Sequence, residues 1–362
     1  MSFEIYNNKF ASQYKYYDFK DVLILPCYSE LNSRSEVNLE KTLTFNNKKS
    51  WTGIPIISAN MTTTGTFDVY KVLSKYKIIT CFHKFYTLDD FLKFHNENNE
   101  NNENNENNEN NENTLNPDYF MVSTGISDSD YERLCNIVDN IECKFICIDI
   151  ANGYINNLIK YCKKVRAKYP DHIIVAGNVC TYDGVNQLID CNIDIIKCGI
   201  GGGSACTTRI QTGIGMPQLS CVIECSEAIT DLTHEDDDYN FKHYIISDGG
   251  ITCPGDLGKA FGAGSDFVMI GGEFAGHDEN PGKLTKDEKT GEQFKFFYGM
   301  SSSYAMSNNY AANNNKTYRS SEGREIKMKY KGKLDNTVQN YLGGLRSTCT
   351  YTNSKNIEDL KN

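Results

Sequence analysis

The chain has 362 residues, a formal net charge of −10 at pH 7 and 39% hydrophobic residues. The acidic balance opposes nonspecific binding to nucleic acid or to anionic membranes, because both need clustered basic surface. No apolar run approaches the roughly 20 residues that span a bilayer, and the polar, aromatic first stretch lacks the features of a signal peptide. We therefore expect a cytoplasmic globular protein that binds neither nucleic acid nor membrane.

Fourteen cysteines are scattered through the chain, many of them inside apolar runs. In a long chain this distribution is typical of reduced, buried thiols rather than of a disulfide scaffold. No C-x-x-C pair occurs, and the six histidines lack the spacing of zinc ligands. A structural metal site is therefore not expected.

Eight short runs of consecutive apolar residues recur along the chain. Such runs are typical of strands that are buried on both faces of a parallel sheet. The segments between them space apolar residues at three and four, as amphipathic helices do. Eight strand-helix units predict an α/β fold, a TIM barrel, with residues 1–362 forming one domain. The predicted strands span residues 55–59, 78–82, 120–124, 145–150, 173–177, 194–199, 244–249 and 267–272.

Besides an N-terminal extension, three segments interrupt the regular spacing. Residues 97–113 repeat Glu-Asn-Asn with nothing apolar to bury, which predicts a disordered insertion. Residues 233–243 are acidic, which predicts a solvated loop. Residues 273–350 are too long for a simple loop. The alternation within 317–333 predicts a hairpin that folds over the barrel mouth as a flap.

Polar residues or glycines follow most of the predicted strands. The carboxyl ends of the strands form the barrel mouth, where the active sites of TIM barrels lie. The alternative interpretation is that the glycines only turn the chain between strand and helix. The residues concerned are Asn60, Asp149, Asn178, Gly199, Asp248, Gly249, Gly250, Gly271 and Gly272.

The glycine-rich stretch "KCGIGGGSACTTR", from Lys197 to Arg209, fits neither the P-loop pattern nor the dinucleotide-binding pattern. Cys206 lies in it, in a polar loop beside Thr207 and Thr208. Nearby donors and positive charge in such a loop favour the thiolate, which is the reactive form of cysteine. The alternative is an idle surface thiol.

Small residues follow the last two predicted strands, where barrels commonly bind phosphate. Backbone N–H groups of residues 249–250 and 271–272 would hold the phosphate, and Asp248 suits a pair of ribose hydroxyls. Lys84 would be a cation at the end of the second strand, or else a solvated charge. Glu322 is an exposed carboxylate unless a flap brings it into the site as an acid or base.

A set of motifs from Asp18 to about Tyr351 closely resembles the GMP reductases of the IMP dehydrogenase and GMP reductase superfamily. It includes "IPIISANM", "CFHKFY", "DIANGY", "IKCGIGGGSACTTR", "ISDGGITCPGD", "YGMSSSYAM" and "YRSSEG". The resemblance implies a homotetrameric TIM barrel for irreversible, NADPH-dependent reductive deamination of GMP to IMP and ammonia.

The resemblance also implies catalytic roles. Cys206 matches the nucleophile that attacks C2 of the purine and forms a covalent thioimidate. Thr208 and Glu322 match the pair that handles the proton of the departing ammonia, which is general acid catalysis.

Binding positions are carried over from the resemblance one by one. Those for GMP are Ser204, Asp248, Gly249, Gly250, Gly271, Gly272, Gly299, Met300, Ser301, Arg319, Ser320, Ser321, Glu322 and Gly323. Those for NADPH are Lys84, Asp149, Ile150, Ala151, Ile200, Gly201, Met300, Tyr318 and Arg319. Those expected to reach the adenosine part from a neighbouring subunit are Ser33, Arg34, Ser347, Thr348, Cys349 and Thr350. Those for a monovalent cation, K⁺, are Gly201, Gly203, Cys206 and Arg209.

Two positions depart from the family pattern. Thr62 stands where many relatives carry aspartate beside the cofactor, and Gly202 stands where proline is usual. Because proline restricts φ and glycine frees it, the second departure affects the stiffness of the loop.

Two alternatives remain at this point. An IMP dehydrogenase would oxidise IMP with NAD, but its flap carries an Arg-Tyr pair and a regulatory domain usually interrupts its barrel. This chain has Tyr318-Arg319 and only the short Asn-Glu tract, which favours the reductase. A non-catalytic barrel that binds purine nucleotide is disfavoured by the presence of all three catalytic residues.

Overall fold

The structure is a computed structural model that describes residues 15–100, 115–235, 241–299 and 323–361. Its strands, in chain order, are β1 (Lys41–Thr44), β2 (Ser50–Gly53), β3 (Ile56–Ser58), β4 (Ile79–Phe82), β5 (Phe120–Thr124), β6 (Phe145–Asp149), β7 (Ile173–Val179), β8 (Ile195–Cys198), β9 (Tyr244–Asp248), β10 (Phe267–Ile270), β11 (Thr285–Lys286), β12 (Gln293–Tyr298) and β13 (Glu325–Lys329).

Strands β3 to β10 form a closed barrel of eight parallel strands. Each strand pairs with the next along the chain, and β10 returns to pair with β3. The order and positions confirm the predicted TIM barrel. All eight carboxyl ends therefore lie at one rim.

Helices cover the outside of the barrel. Their bounds are α1 (Phe67–Leu73), α2 (Leu88–Glu100), α3 (Asp128–Val138), α4 (Asn156–Lys168), α5 (Tyr182–Ile189), α6 (Thr208–Thr212), α7 (Gln218–Glu235), α8 (Pro254–Gly262) and α9 (Leu334–Tyr351). Hydroxyl side chains start several of them, because they accept hydrogen bonds from unpaired N–H groups of the first turn: Thr66 caps α1, Ser127 caps α3 and Thr181 caps α5. Of the helices described, none is long and apolar enough to cross a membrane.

Both faces of each barrel strand are buried. On β6, Phe145 and Cys147 belong to the cluster that fills the barrel, whereas Ile146 and Ile148 pack outward against the helices. Successive side chains of a strand point to opposite faces. The consecutive apolar runs of the sequence therefore serve two cores at once.

A hairpin of β1 and β2 closes the amino end of the barrel. Its Phe45 ring lies 6.4 Å from the ring of Phe145 and 5.2 Å from that of Tyr244, at the first residues of β6 and β9. Trp51 is 1% exposed, lies 5.1 Å from the ring of Phe267 and donates its indole N–H to the carbonyl of Asp118 at 2.8 Å. This end is consequently dry and apolar.

Two expectations for the irregular segments need correction. Helix α2 continues through residues 97–100, the start of the Glu-Asn-Asn tract, because glutamate propagates a helix well. The rest of that tract lies outside the described residues. Helix α7 continues to Glu235, inside the predicted acidic loop. Strand β13, in the segment predicted as a hairpin, pairs antiparallel with β12.

Replacing Trp51 with alanine should lower the free energy of unfolding by about 3–5 kcal/mol, because it leaves a cavity under the barrel. Thr52→Ala, at the exposed neighbouring position, is the matched control and should change it by less than about 1 kcal/mol. Urea unfolding followed by far-ultraviolet circular dichroism measures both. Equal losses for the two variants would contradict the closing role of Trp51.

Candidate active site

A cavity of about 650 Å³ opens at the carboxyl ends of the barrel strands. Many of the predicted site residues line it: Lys84, Asp149, Ile150, Ala151, Ile200, Gly201, Gly203, Ser204, Cys206, Thr208, Asp248, Gly249, Gly250, Gly271, Gly272, Gly299 and Gly323. The predicted residues Met300, Ser301, Tyr318, Arg319, Ser320, Ser321 and Glu322 lie outside the described residues.

The cysteine loop follows β8 and leads directly into α6. The thiol of Cys206 donates a hydrogen bond to the hydroxyl of Thr208 across 3.1 Å. The N–H of Cys206 donates to the carbonyl of Gly203 at 3.0 Å, which closes the loop into a turn. Thiol and hydroxyl are thus neighbours at the cavity wall, and Cys206 is half-buried.

The base of the flap reaches this loop. Gly323 pairs with Cys206 in an isolated antiparallel bridge, and the guanidinium of Arg324 donates to the carbonyl of Ser204 at 3.1 Å. Glu322 precedes Gly323 in the sequence. The bridge therefore brings the chain beside the predicted acid to the predicted nucleophile.

Two glycine loops meet across the cavity. Gly249 and Gly250 have φ of +100° and +79°, in the region that favours glycine. The N–H of Gly250 donates to the carbonyl of Gly202 at 3.0 Å, which ties the loop after β9 to the cysteine loop. A Cβ on Gly272 would lie 2.6 Å from the hydroxyl of Ser204. The predicted phosphate elements thus converge on one space.

A buried charge cluster lies at the floor of the cavity. The side chain of Lys197 is 2% exposed, and its Nζ lies 3.0 Å from Oδ1 of Asp149 and 3.1 Å from Oδ2 of Asp248. The amide of Asn60 donates to Asp149 at 2.6 Å, and that of Asn178 donates to Asp248 at 2.8 Å. Lys197 is not among the predicted site residues, although a lysine inside an apolar strand is a visible signal.

The cluster holds Lys197 and Asp149 in their charged forms. Burial lowers the pKa of Lys197, but attraction to Asp149 and Asp248 outweighs burial, and the pKa lies well above its usual range. Burial raises the pKa of Asp149, but Lys197 and the hydrogen bond from Asn60 hold that pKa below its usual range. A lysine cation and a carboxylate therefore face each other at neutral pH.

Arg209 connects the end of the cysteine loop to the N-terminal segment and to the loop before α7. Its guanidinium lies 3.2 Å from the carboxylate of Asp18 and also donates to the carbonyl of Met216. The other oxygen of Asp18 accepts from the N–H of Gln218 at 2.7 Å. The guanidinium of Arg209 therefore does not contribute to the predicted cation site. The carbonyl of Arg209 is the group that could do so, and it also accepts a hydrogen bond from the N–H of Gly213.

Lys84 follows β4 and lines the cavity. Its Nζ lies 3.4 Å from Oδ1 of Asp130, and a Cβ on Gly125 would lie 2.8 Å from that Nζ, so glycine leaves room for the lysine. Asp130 also accepts from the hydroxyl of Ser127 at 2.7 Å. Gly125, Ser127 and Asp130 line the cavity but were not predicted. The Ser-x-x-Asp capping pattern could have drawn attention to them.

The segments predicted for the adenosine part lie together, but they do not line the cavity. The short 3-10 helix Arg34–Glu36 packs against α9, which carries residues 347–350. The hydroxyl of Thr348 donates to the carbonyl of Gly344 in its own helix, and Cys349 is fully buried.

The two departures from the family pattern have defined surroundings. The hydroxyl of Thr62 donates to that of Tyr298 at 3.3 Å, which joins the loop after β3 to the end of β12. Gly202 contributes its carbonyl to the bond from Gly250. A Cβ on Gly202 would lie 3.1 Å from Oε1 of Gln218.

The fold and the mouth define a class: a TIM-barrel protein with a cysteine–threonine pair and a glycine-lined pocket suited to phosphate. A family model described as "IMP dehydrogenase / GMP reductase domain" matches residues 16–362. The chain belongs to this family.

Individual relatives match over nearly their whole length. GMP reductase 1 of Homo sapiens is 47% identical over 348 residues, which cover 95% of this chain and 92% of the relative. GMP reductase 2 of Homo sapiens is 45% identical over 345 residues, covering 95% and 91%. GMP reductase of Photobacterium profundum is 45% identical over 344 residues, covering 94% and 91%.

Asp130→Asn should destabilise the protein at neutral pH by on the order of 1 kcal/mol, because the cap of α3 loses its charged acceptor. Burial raises the pKa of Asp130, but hydrogen bonds from Ser127 and the charge of Lys84 outweigh it, so the folded pKa is lowered.

The unfolded chain then binds the proton more tightly, so this stabilisation is present above the unfolded pKa of about 4. It is lost as the pH falls through the folded pKa. Urea midpoints of wild type and Asp130→Asn should converge over that range, whereas Asp128→Asn, at an exposed position, should follow wild type throughout. A difference between the urea midpoints of wild type and Asp130→Asn that does not depend on pH would contradict the lowered pKa of Asp130.

Proposed function

We propose that this protein is a GMP reductase, which converts GMP and NADPH to IMP, NADP⁺ and ammonia. The observation that carries the proposal is the cysteine–threonine pair at the barrel mouth, met there by the base of the flap. It lies in a chain that is 47% identical to human GMP reductase 1 over 95% of its length.

Cys206 acts as the nucleophile. Its thiolate forms a bond to C2 of GMP, and the 2-amino group leaves with its bonding electrons. Ammonia is a poor leaving group unless it receives a proton, so a donor is needed beside the sulfur. Thr208, whose Oγ1 lies 3.1 Å from the sulfur, and Glu322 handle this proton.

Phosphate and ribose of GMP lie on the two glycine loops. The N–H groups of Gly249, Gly271 and Gly272 and the hydroxyl of Ser204 bind the phosphate, and Asp248 accepts from the ribose hydroxyls. The N–H of Gly250 donates to Gly202 instead, so Gly250 shapes the loop. The positive φ of Gly249 and Gly250 supports this, because it turns the backbone after β9 so that the loop can approach an anion closely.

When bound, NADPH would supply the hydride that replaces sulfur at C2, with release of IMP and the thiolate of Cys206. Lys84, Asp149, Ile150, Ala151, Ile200 and Gly201 would hold its reacting half. They fit this role, because they line the same cavity as Cys206. A guanidinium binds phosphate well, so Arg34 would hold the ribose phosphate that distinguishes NADPH from NADH.

The active assembly is a homotetramer in which a neighbouring subunit supplies the adenosine site. Support comes from the 3-10 helix of Arg34 and helix α9, which carries residues 347–350: the two helices pack together, and neither segment lines the mouth cavity. Because the two halves of one dinucleotide need both places, sharing between subunits accounts for the separation.

Carbonyls of Gly201, Gly203, Cys206 and Arg209 would hold K⁺. Two of them already accept a backbone hydrogen bond, and a carbonyl oxygen keeps a second lone pair for a cation. The cation would stiffen the cysteine loop. All fourteen cysteines are free, which agrees with a reducing compartment such as the cytoplasm.

The proposal is tested by mixing the protein with GMP and NADPH. We expect the near-ultraviolet absorbance of NADPH to decay with formation of equal amounts of IMP and ammonia. The same protein with IMP and NAD should produce no XMP. Oxidation of IMP without reduction of GMP would make the protein a dehydrogenase instead.

Cys206→Ala should reduce turnover by at least about 10³-fold, because no other group forms the covalent bond. GMP should still bind within a few-fold of wild type, since its phosphate and ribose contacts remain. Isothermal titration with GMP and the NADPH assay check both parts. Cys135→Ala, a half-buried thiol on α3, is the control and should keep normal turnover. Turnover that survives loss of Cys206 would overturn its role.

A further inference from the structure

Lys197 occupies a space that the barrel leaves open for it. It lies opposite Gly177 in the register of β7 and β8. A Cβ on Gly177 would lie 2.5 Å from Cβ of Lys197, so any larger residue would displace the lysine. On the same strand, Ile195 faces the barrel interior two positions earlier. Lys197 is therefore the inward residue nearest the mouth on β8.

The two carboxylates that meet Lys197 come from different sides of the site. Asp149 ends β6, on the wall assigned to NADPH, and Asp248 ends β9, beside the glycine loop assigned to GMP. One ammonium group touches both, at 3.0 and 3.1 Å.

The amides orient each carboxylate further. Asn178 donates to the same Oδ2 of Asp248 that meets Lys197, and it also donates to the carbonyl of Gly199 at 2.8 Å. No described residue donates to Oδ1 of Asp248, which is left for a ribose hydroxyl. Asn60 donates to Asp149 through Oδ2, whereas Lys197 contacts Oδ1.

We propose that Lys197 is a positioning residue that orients the GMP-binding carboxylate and the NADPH-binding carboxylate together. This inference rests on the proposed function. Replacing the lysine by an uncharged side chain leaves two half-buried carboxylates without their shared partner, and such groups reorient or take up a proton. One substitution at a residue assigned to neither ligand therefore weakens the binding of both.

The test compares Lys197→Met with Lys197→Arg. GMP binding alone is measured by titration calorimetry, NADPH binding alone by its fluorescence, and both KM values in the assay. In Lys197→Met we expect both dissociation constants and both KM values to rise about tenfold or more, as for other broken buried charge pairs. In Lys197→Arg, which keeps the charge, most of this loss should be recovered.

Lys259→Met is the matched control. Lys259 is also largely buried and paired with a carboxylate, Asp256 at 3.2 Å, but it lies on α8 and does not line the cavity. It should lower the melting temperature without changing either dissociation constant. If Lys259→Met weakens the binding of GMP and NADPH as much as Lys197→Met does, the effect of replacing Lys197 is one of general stability and the inference fails.

Other outcomes are equally decisive. The inference is overturned if Lys197→Met weakens the binding of only one ligand or of neither. If that variant does not fold, Lys197→Gln takes its place, with Asp149→Asn and Asp248→Asn each expected to weaken mainly its own ligand. A wild-type protein that does not reduce GMP contradicts the proposed function. If the wild type is active and the Lys197 variants bind both ligands as tightly as it does, only this inference is contradicted.

Discussion

Closure of the parallel barrel is the constraint on which the rest of the molecule depends. Pairing of β10 with β3 leaves the barrel sheet without a free strand edge, and the parallel order brings the carboxyl ends of its eight strands to the same rim. Groups that are far apart in the chain, such as Lys84 and Cys206, thereby share one cavity. No local interaction in the sequence could bring them together.

Closure also makes the two ends of the barrel different. The amino end is sealed by apolar packing of Trp51 and Phe45 against the first residues of the strands. At the other end the interior finishes with a lysine between two carboxylates. Burying such a cluster costs desolvation energy that apolar residues would not, so its presence there favours a role in ligand binding over a role in stability.

The sequence predicted the barrel strands to within a few residues, because consecutive apolar runs distinguish strands buried on both faces. It also placed the mouth residues, since glycines and polar side chains follow strand ends. It did not predict the pairing of Lys197 with Asp149, 48 residues away, because a lone lysine carries no record of its partner. The pairing of β12 with β13 was missed for the same reason: the alternation of one strand does not identify its neighbour.

Two of the contacts that attach the cysteine loop to its neighbours are between main-chain atoms. Gly250 donates its N–H to the carbonyl of Gly202, and the N–H of Arg324 donates to the carbonyl of Ala205 at 3.0 Å. Every residue type, proline included, would carry the same carbonyl at position 202. The side chain at position 202 can therefore change while the hydrogen bond from Gly250 is kept. The stiffness of the cysteine loop can thus change separately from the main-chain contacts that position the cysteine.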